Sequence, residues 1–89
     1  MPEREVTIIN KLGLHARAAA RLVKLASTFS ATIALERDGR EVNGKSIMGV
    51  MMLAAGKGTR LKIRAEGDDA EQALDALCHL IGDRFGEEE

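Results

Sequence analysis

Hydrophobic and polar residues alternate in three short segments of this chain, residues 6–8, 32–36 and 60–66. A period of two residues is typical of a strand that buries one face, because successive side chains of a strand point to opposite sides. Segment 60–66 alternates most regularly and is predicted to have one buried and one polar face. The inward-facing residues of the first two strands are predicted to be Val6, Ile8, Ile33 and Leu35.

Turn signals separate these segments. Asp38-Gly39 is a strong two-residue hairpin signal and predicts residues 40–42 as a short return strand. Asn43-Gly44-Lys45 predicts a second turn. Residues 10–14 are predicted to form a loop whose flexible point is Gly13.

Three other segments are predicted to be helices. Residues 16–28 repeat apolar side chains at three- and four-residue spacing. Residues 47–55 form a short second helix, with Ser46 as its N-cap and Gly56-Lys57-Gly58 at its end. The third helix follows a capping box of Asp68 and Glu71. The core-facing residues of the first and third helices are predicted to be Leu22, Leu25, Ala26, Phe29, Ala70, Ala73, Leu74, Leu77, Ile81 and Phe85.

The predicted order is therefore β-α-β-β-α-β-α, an α+β fold in one domain that spans residues 1–89. Each alternating strand needs one covered face, so the helices are expected to lie on one side of the sheet. The acidic tail Glu87-Glu88-Glu89 is predicted to be frayed.

Composition argues against several classes of function. The 89 residues carry a formal net charge of −1 and only two aromatic side chains, so a dedicated nucleic-acid binder is disfavoured. No apolar run approaches the roughly 20 residues of a membrane span, and the charged N-terminus lacks the apolar core of a signal peptide. Cys78 is the only cysteine, which excludes an internal disulfide and a cysteine metal cluster. The expected location is cytoplasmic, with no cofactor and no metal.

His15 is the strongest candidate for chemistry, because it lies between a glycine-containing loop and an alanine-rich helix. A helix N-terminus has unpartnered N–H groups and a partial positive charge. That field favours a neutral imidazole with a free lone pair, and the N–H groups of Ala16 and Arg17 would bind an anion attached to the ring. These features predict phosphoryl transfer through a phosphohistidine. Taken alone, His15 is also consistent with a packed structural histidine, and His79 is predicted to be a surface residue.

Basic residues recur along one face of the first predicted helix. Arg17 is interpreted as a clamp that forks two phosphate oxygens, although an ordinary solvated arginine fits equally well until the role of His15 is accepted. Arg21 and Lys24 extend this face. They form either an ordinary solvated surface or a basic patch that attracts acidic partners.

The second predicted helix carries two further candidates. Ser46 is most simply an N-cap, and alternatively a regulatory phosphorylation site, because a phosphate there would face the positive end of the helix. Ile47, Met48, Met51 and Met52 crowd a helix too short to bury them all. Their alternatives are core packing and an adaptable apolar docking surface.

Two motifs carry a resemblance to a known family. Leu12-Gly13-Leu14-His15-Ala16-Arg17-Ala18 resembles the active-site signature of HPr, the histidine-containing phosphocarrier of the bacterial phosphoenolpyruvate-dependent phosphotransferase system. Asn43-Gly44-Lys45-Ser46-Ile47-Met48-Gly49-Val50 resembles the second, serine-centred signature of that family. Both signatures lie where the family places them, and the order of elements matches over nearly the whole chain.

This resemblance implies an open-faced sandwich in which four antiparallel strands, in the order 1-4-2-3, are covered on one face by three helices. It also implies a mechanism. By this resemblance, enzyme I would pass a phosphoryl group from phosphoenolpyruvate to His15 at Nδ1, and phosphorylated His15 would pass it to an enzyme IIA domain. In some lineages an HPr kinase/phosphorylase modifies the serine that matches Ser46.

The resemblance also implies a docking surface on the first and second helices. Its residues here are Ala16, Arg17, Ala20, Arg21, Lys24, Ile47, Met48, Met51 and Met52. A monomer is expected, because a carrier exposes one small site to successive partners. Neither nucleic acid nor membrane insertion is expected.

One residue departs from the family pattern. Ala18 stands where the family commonly has proline, and alanine is an excellent helix former, so the helix start is expected to survive. The departure leaves open a sugar-system carrier or its nitrogen-branch paralogue, NPr, with the serine signature favouring the HPr type. Other hypotheses are a non-catalytic partner-binding regulatory module and, from the basic helix face alone, a small nucleic-acid-binding domain.

Overall fold

A computed structural model describes residues 2–87 of the chain. Its strands are β1 (Glu3–Thr7), β2 (Thr32–Arg37), β3 (Arg40–Asn43) and β4 (Arg60–Glu66). Its helices are α1 (Ala16–Ala26), α2 (Ile47–Met52) and α3 (Ala70–Gly82), and a 3-10 turn, Arg84–Gly86, follows α3. The predicted order of strands and helices is confirmed.

The four strands form one sheet in the order β1-β4-β2-β3, and each neighbouring pair is antiparallel. Helix α3 packs on β1 and β4, α2 packs on β3, and α1 packs against both other helices. In β4 the buried residues Leu61, Ile63 and Ala65 alternate with partly exposed Lys62 and Arg64, so one face of the sheet is covered and the other is open. The open-faced sandwich is confirmed.

Local turn chemistry follows the sequence closely. Asp38 and Gly39 have φ angles of +50° and +82°, the left-handed pair that a tight hairpin turn requires. The Ser46 hydroxyl accepts a hydrogen bond from the Gly49 N–H at 3.1 Å and caps α2. Both the hairpin and the N-cap are therefore confirmed.

The predicted helix ends are less accurate. Helix α1 ends at Ala26 rather than at residue 28, and Leu25 and Phe29 are only partly buried. Helix α2 ends at Met52 rather than near residue 55. Its end does not depend on the glycines, because Ala54 takes the left-handed φ of +50° and the Arg37 guanidinium binds the carbonyls of Leu53 and Ala54 at 2.7 Å each. Contacts with a distant strand therefore end the helix.

The predicted capping box of α3 is wrong. The N-cap residue is Asp69, and no side-chain hydrogen bond caps the helix. The Asp69 carboxylate instead accepts hydrogen bonds from the N–H groups of Ser30 and Ala31, both at 2.8 Å. Asp69 therefore joins the start of α3 to the segment that enters β2.

Two apolar residues lie outside the elements predicted for them. Ile8 follows β1, which begins earlier than predicted, at Glu3, yet Ile8 is fully buried. Phe85 lies in the turn after α3 and is 1% exposed. Both residues still face the core, as their spacing predicts.

Candidate functional site

His15 is the N-cap residue of α1. Its backbone is extended, with φ −74° and ψ 177°, and its carbonyl accepts the first helical hydrogen bond, from the Ala19 N–H at 2.8 Å. The His15 side chain makes no capping hydrogen bond, so it leaves the N–H groups of the first turn available to an anion. The imidazole is 28% exposed. It therefore lies at the surface, beside the positive end of a helix.

The loop before His15 is held at both ends by hydrogen bonds. Buried Asn10 donates from Nδ2 to the Gly13 carbonyl at 2.8 Å, and the Leu14 N–H donates to the Ala55 carbonyl at 2.8 Å. Gly13 has a φ of +66°, as expected for the flexible point of this loop. These hydrogen bonds therefore hold the backbone that leads into His15.

Glu87 contacts the imidazole directly. Its Oε2 lies 2.5 Å from His15 Nε2, and its Oε1 accepts a hydrogen bond from Asn10 Nδ2 at 3.0 Å. Sequence reasoning placed Glu87 in a frayed tail and missed this contact, whereas Glu88 and Glu89 lie outside the described residues. The sequence offers only an indirect signal, the apolar Phe85 two residues earlier.

The chain returns to His15 through residues 84–87, here named the C-terminal strap. Arg84, Phe85 and Gly86 all have left-handed φ angles, of +56°, +55° and +79°. The buried Phe85 ring anchors the strap in the core, and the Arg21 guanidinium donates to the Phe85 carbonyl. The strap is thus tied both to the core and to α1.

The orientation of the Asn10 amide follows from its two partners. Both the Gly13 carbonyl and the Glu87 carboxylate can only accept hydrogen bonds, so the NH₂ group must face both. Asn10 Oδ1 is then left buried with no partner among residues 2–87. Asn10 therefore supports the loop and the C-terminal strap at the same time.

The surroundings of Glu87 favour its charged form. The hydrogen bond from Asn10 is the main cause that lowers the pKa of Glu87 from its ordinary value of 4.5. Partial burial opposes this change, while His15 and Arg21 reinforce it. Glu87 is consequently a carboxylate, which can accept but not donate at the imidazole.

The predicted phosphate clamp and basic face lie beside His15 on α1. Arg17 is exposed and has no hydrogen bond or ion pair with the described residues, so its guanidinium is available. Ala16, Ala20 and Lys24 are also exposed. Arg21 is exposed as well, and its guanidinium also donates to the Phe85 carbonyl in the C-terminal strap, a contact that neither predicted alternative includes.

The apolar surface predicted on α2 is present. Ile47, Met48, Met51 and Met52 are 44%, 78%, 43% and 62% exposed, whereas Val50 is buried. Because α1 and α2 pack side by side, these residues and the exposed residues of α1 belong to neighbouring surfaces. Ser46 is partly exposed at the start of α2, where its hydroxyl caps the helix.

Comparison with known proteins assigns the family. Residues 2–83 match the family described as "PTS-HPr: PTS HPr component phosphorylation site". The chain belongs to the HPr family of phosphocarrier proteins. The resemblance carried by the two sequence signatures is confirmed.

Relatives in the HPr family match over essentially the full chain. Phosphocarrier protein HPr of Cupriavidus necator is 55% identical over 89 residues, which cover 100% of both chains. Phosphocarrier protein NPr of Shewanella violacea is 46% identical over 85 residues, which cover 96% of this chain and 93% of the relative. The crystal structure of HPr-C-His from Thermoanaerobacter tengcongensis is 52% identical, covers 100% of both chains and superposes with a TM-score of 0.97.

The structure also places Ala18, Cys78 and His79. Ala18 is fully buried, and the first turn of α1 is intact, as expected with alanine at this position. Within residues 2–87, no group of three or more His, Cys, Asp or Glu side chains could hold a metal ion. No helix in that range is long and apolar enough to cross a membrane. Cys78 is partly buried, which raises the pKa of its thiol, and His79 is exposed.

Proposed function

We propose that His15 accepts a phosphoryl group from phosphorylated enzyme I and passes it to an enzyme IIA domain of the phosphotransferase system. The observation that carries this proposal is the partly exposed imidazole at the uncapped start of α1. The first-turn N–H groups and the helix dipole favour the negative charge that a phosphoryl group brings. Arg17 is available to bind the same phosphoryl oxygens.

The acceptor atom is proposed to be Nδ1. Nε2 faces the Glu87 carboxylate at 2.5 Å, whereas Nδ1 has no hydrogen-bond partner among the described residues. A nucleophilic nitrogen needs a free lone pair, which Nδ1 can offer when the ring proton lies on Nε2. The phosphoryl group would then lie beside the backbone of Ala16 and Arg17.

Partner docking is proposed on the neighbouring surfaces of α1 and α2. The exposed methionines of α2 provide an adaptable apolar contact, and Lys24 with Arg17 provides positive charge that attracts acidic partners. A carrier of this kind is proposed to act as a cytoplasmic monomer. Both HPr and NPr occur among its relatives, so the sugar and nitrogen branches are alternative settings for the same chemistry.

The first test is phosphorylation by enzyme I and phosphoenolpyruvate. The expected product is an acid-labile, base-stable adduct, which His15→Ala abolishes. His79→Ala is the matched control, because it removes the other histidine, which is exposed on α3. Phosphate uptake by His15→Ala equal to that of the parent would contradict the proposal. If a partner bound His15→Ala and the phosphorylated parent equally well, a non-catalytic regulatory module would be favoured.

Ser46 is proposed as a regulatory phosphorylation site, for example for an HPr kinase/phosphorylase. Its hydroxyl is partly exposed and already serves as the N-cap, so a negative group there would face the positive end of α2 without unfolding it. The neighbouring Ile47 and Met48 are exposed, and a charge beside them would oppose the docking of an apolar partner surface.

Ser46→Asp is therefore expected to fold normally and to accept phosphate from enzyme I more slowly. Ser46→Asn is the matched control, because asparagine caps a helix equally well without adding charge. Transfer rates and thermal unfolding midpoints of the two variants are compared. Equal transfer by Ser46→Asp and Ser46→Asn would exclude this electrostatic switch.

A further inference from the structure

We propose that Glu87 is a positioning residue for phosphoryl transfer at His15. Its carboxylate holds the proton of the ring on Nε2, directs the lone pair of Nδ1 to the phosphoryl donor, and offsets the positive charge that the ring gains on phosphorylation. This inference rests on the phosphocarrier function proposed above. It goes beyond that function because it assigns a role to a side chain outside both sequence signatures.

The position of the Glu87 carboxylate determines which nitrogen of the His15 ring carries the proton. One oxygen lies 2.5 Å from His15 Nε2 and the other accepts the Asn10 amide at 3.0 Å. A carboxylate is an acceptor only, so the nitrogen that it contacts must carry the proton. In a neutral ring the lone pair is then on Nδ1.

Glu87 is held in place by contacts of its own backbone and of the residues before it. Its side chain is only 16% exposed, and its N–H donates to the Arg84 carbonyl at 2.9 Å. The buried Phe85 ring and the Arg21 guanidinium hold the preceding part of the C-terminal strap. Three consecutive left-handed residues turn the strap towards His15. The carboxylate therefore approaches the ring from a tethered backbone.

Phosphoryl transfer to Nδ1 leaves a positive charge on the His15 ring, which a carboxylate at Nε2 can balance. The Nδ1 lone pair forms the new N–P bond, while the N–P bond of a phosphohistidine donor breaks and its electron pair returns to the donor nitrogen. The proton on Nε2 of His15 stays in place, so the phosphorylated ring is a cation. A carboxylate at Nε2 stabilises that cation, and the cationic ring is also the better leaving group when the phosphoryl group moves on.

Glu87→Gln tests this arrangement. Asn10 Nδ2 and His15 Nε2 are both donors, and a glutamine amide has only one oxygen, so it cannot satisfy both. The ring in Glu87→Gln is expected to shift towards the tautomer that is protonated on Nδ1. Phosphoryl acceptance in a single turnover is expected to fall about 10-fold, by analogy with the loss of the partners that orient metal-ligating histidines.

The readouts are the ¹⁵N chemical shifts of the His15 ring, which report the tautomer, and the single-turnover rate with phosphorylated enzyme I. Hydrolysis of the isolated phosphorylated protein adds a measurement that needs no docking, and it is expected to be slower in Glu87→Gln. Glu66→Gln is the control, because it makes the same chemical change at an exposed position on β4. Glu87→Asp keeps a carboxylate and is expected to restore part of the tautomer preference and of the rate.

The results distinguish a failure of the proposed role of Glu87 from a failure of the proposed carrier function. An unchanged tautomer and rate in Glu87→Gln, with His15 still phosphorylated, would overturn the role of Glu87 and leave the carrier function intact. A slower rate with an unchanged tautomer and a lower unfolding midpoint would show a structural role and would also overturn it. A parent protein that took up no phosphate on His15 would overturn the proposed function itself.

Discussion

A single residue, Gly13, allows the loop before His15 to lie close against the loop after α2. Its φ is +66°, and a Cβ atom there would lie 2.6 Å from the Ala55 carbonyl oxygen and 2.7 Å from the Gly56 Cα. Both contacts are with backbone, which cannot rotate away as a side chain can. The hydrogen bond from Leu14 to the Ala55 carbonyl depends on this approach.

Gly13→Ala is therefore expected to destabilise the fold and displace His15. The left-handed backbone alone costs alanine about 1–2 kcal/mol, and the forced movement of neighbouring backbone adds about 1–3 kcal/mol. Gly39→Ala is the matched control, since Gly39 has a φ of +82° but no atom within 4 Å of the added Cβ. Urea unfolding is expected to show the larger loss for Gly13→Ala, and equal losses would contradict the crowding argument.

Some functional residues could be predicted from their neighbours in sequence, and one could not. The position of His15 directly before a helix and the N-cap role of Ser46 were predicted correctly, because a helix start depends on the few residues that follow it. Glu87 could not be identified in this way. Its partners, His15 and Asn10, are 72 and 77 residues away along the chain.

At the scale of elements, helix starts were easier to predict than helix ends. Helix α2 begins where Ser46 caps it, but it ends where two arginines from the hairpin bind its last carbonyls. Arg37 and Arg40 are neighbours of those carbonyls only after the β2–β3 hairpin has packed beside the helix. No local pattern around residue 52 contains that information.

Asp69 connects two elements and yields a prediction about pH. Its hydrogen bonds from the N–H groups of Ser30 and Ala31 lower the pKa of its carboxyl from the ordinary value of 3.8, with partial burial opposing the change. Because the pKa is lower in the folded state, this stabilisation is complete above about pH 4 and is lost as the pH falls through the folded pKa.

Asp69→Asn is accordingly expected to lower stability at pH 7, because an amide offers one acceptor oxygen for two N–H donors. It is also expected to lose less stability than the parent between pH 4 and strongly acidic conditions. Asp68→Asn is the control, since Asp68 is exposed and precedes Asp69 directly. Urea unfolding at several pH values measures both effects, and parallel curves for the two variants would contradict the assigned role of Asp69.

On the scale of the whole molecule, the sheet order decides which charges meet on the open face. Arg64 of β4 contacts Glu3 at 3.0 Å, Glu36 at 2.9 Å and Glu41 at 3.4 Å, which lie on the other three strands. Exposed ion pairs of this kind contribute little to stability. Their consequence is a solvated face, which leaves the surfaces of α1 and α2 as the apolar and basic side of the molecule.

The whole fold also brings two segments that are distant in sequence to one site. The loop after β1 supplies Asn10 and His15, and the C-terminal strap supplies Glu87. Helix α3 packs on β1 and β4, so the chain that leaves α3 emerges close to the start of α1. Glu87 thus completes the proposed phosphocarrier site.

By itself the sequence determined the order of strands and helices, the Asp38-Gly39 turn, the starts of α1 and α2 and the place of His15, because each follows from side chains within a few residues of one another. Alternation identified β4 to the residue, and two local signatures indicated the family. Only the tertiary structure decided where α2 ends, what Asp69 binds, and that Glu87 reaches the imidazole. Those features depend on atoms brought together by packing, and a carboxylate in an acidic tail has no local pattern that names its distant partner.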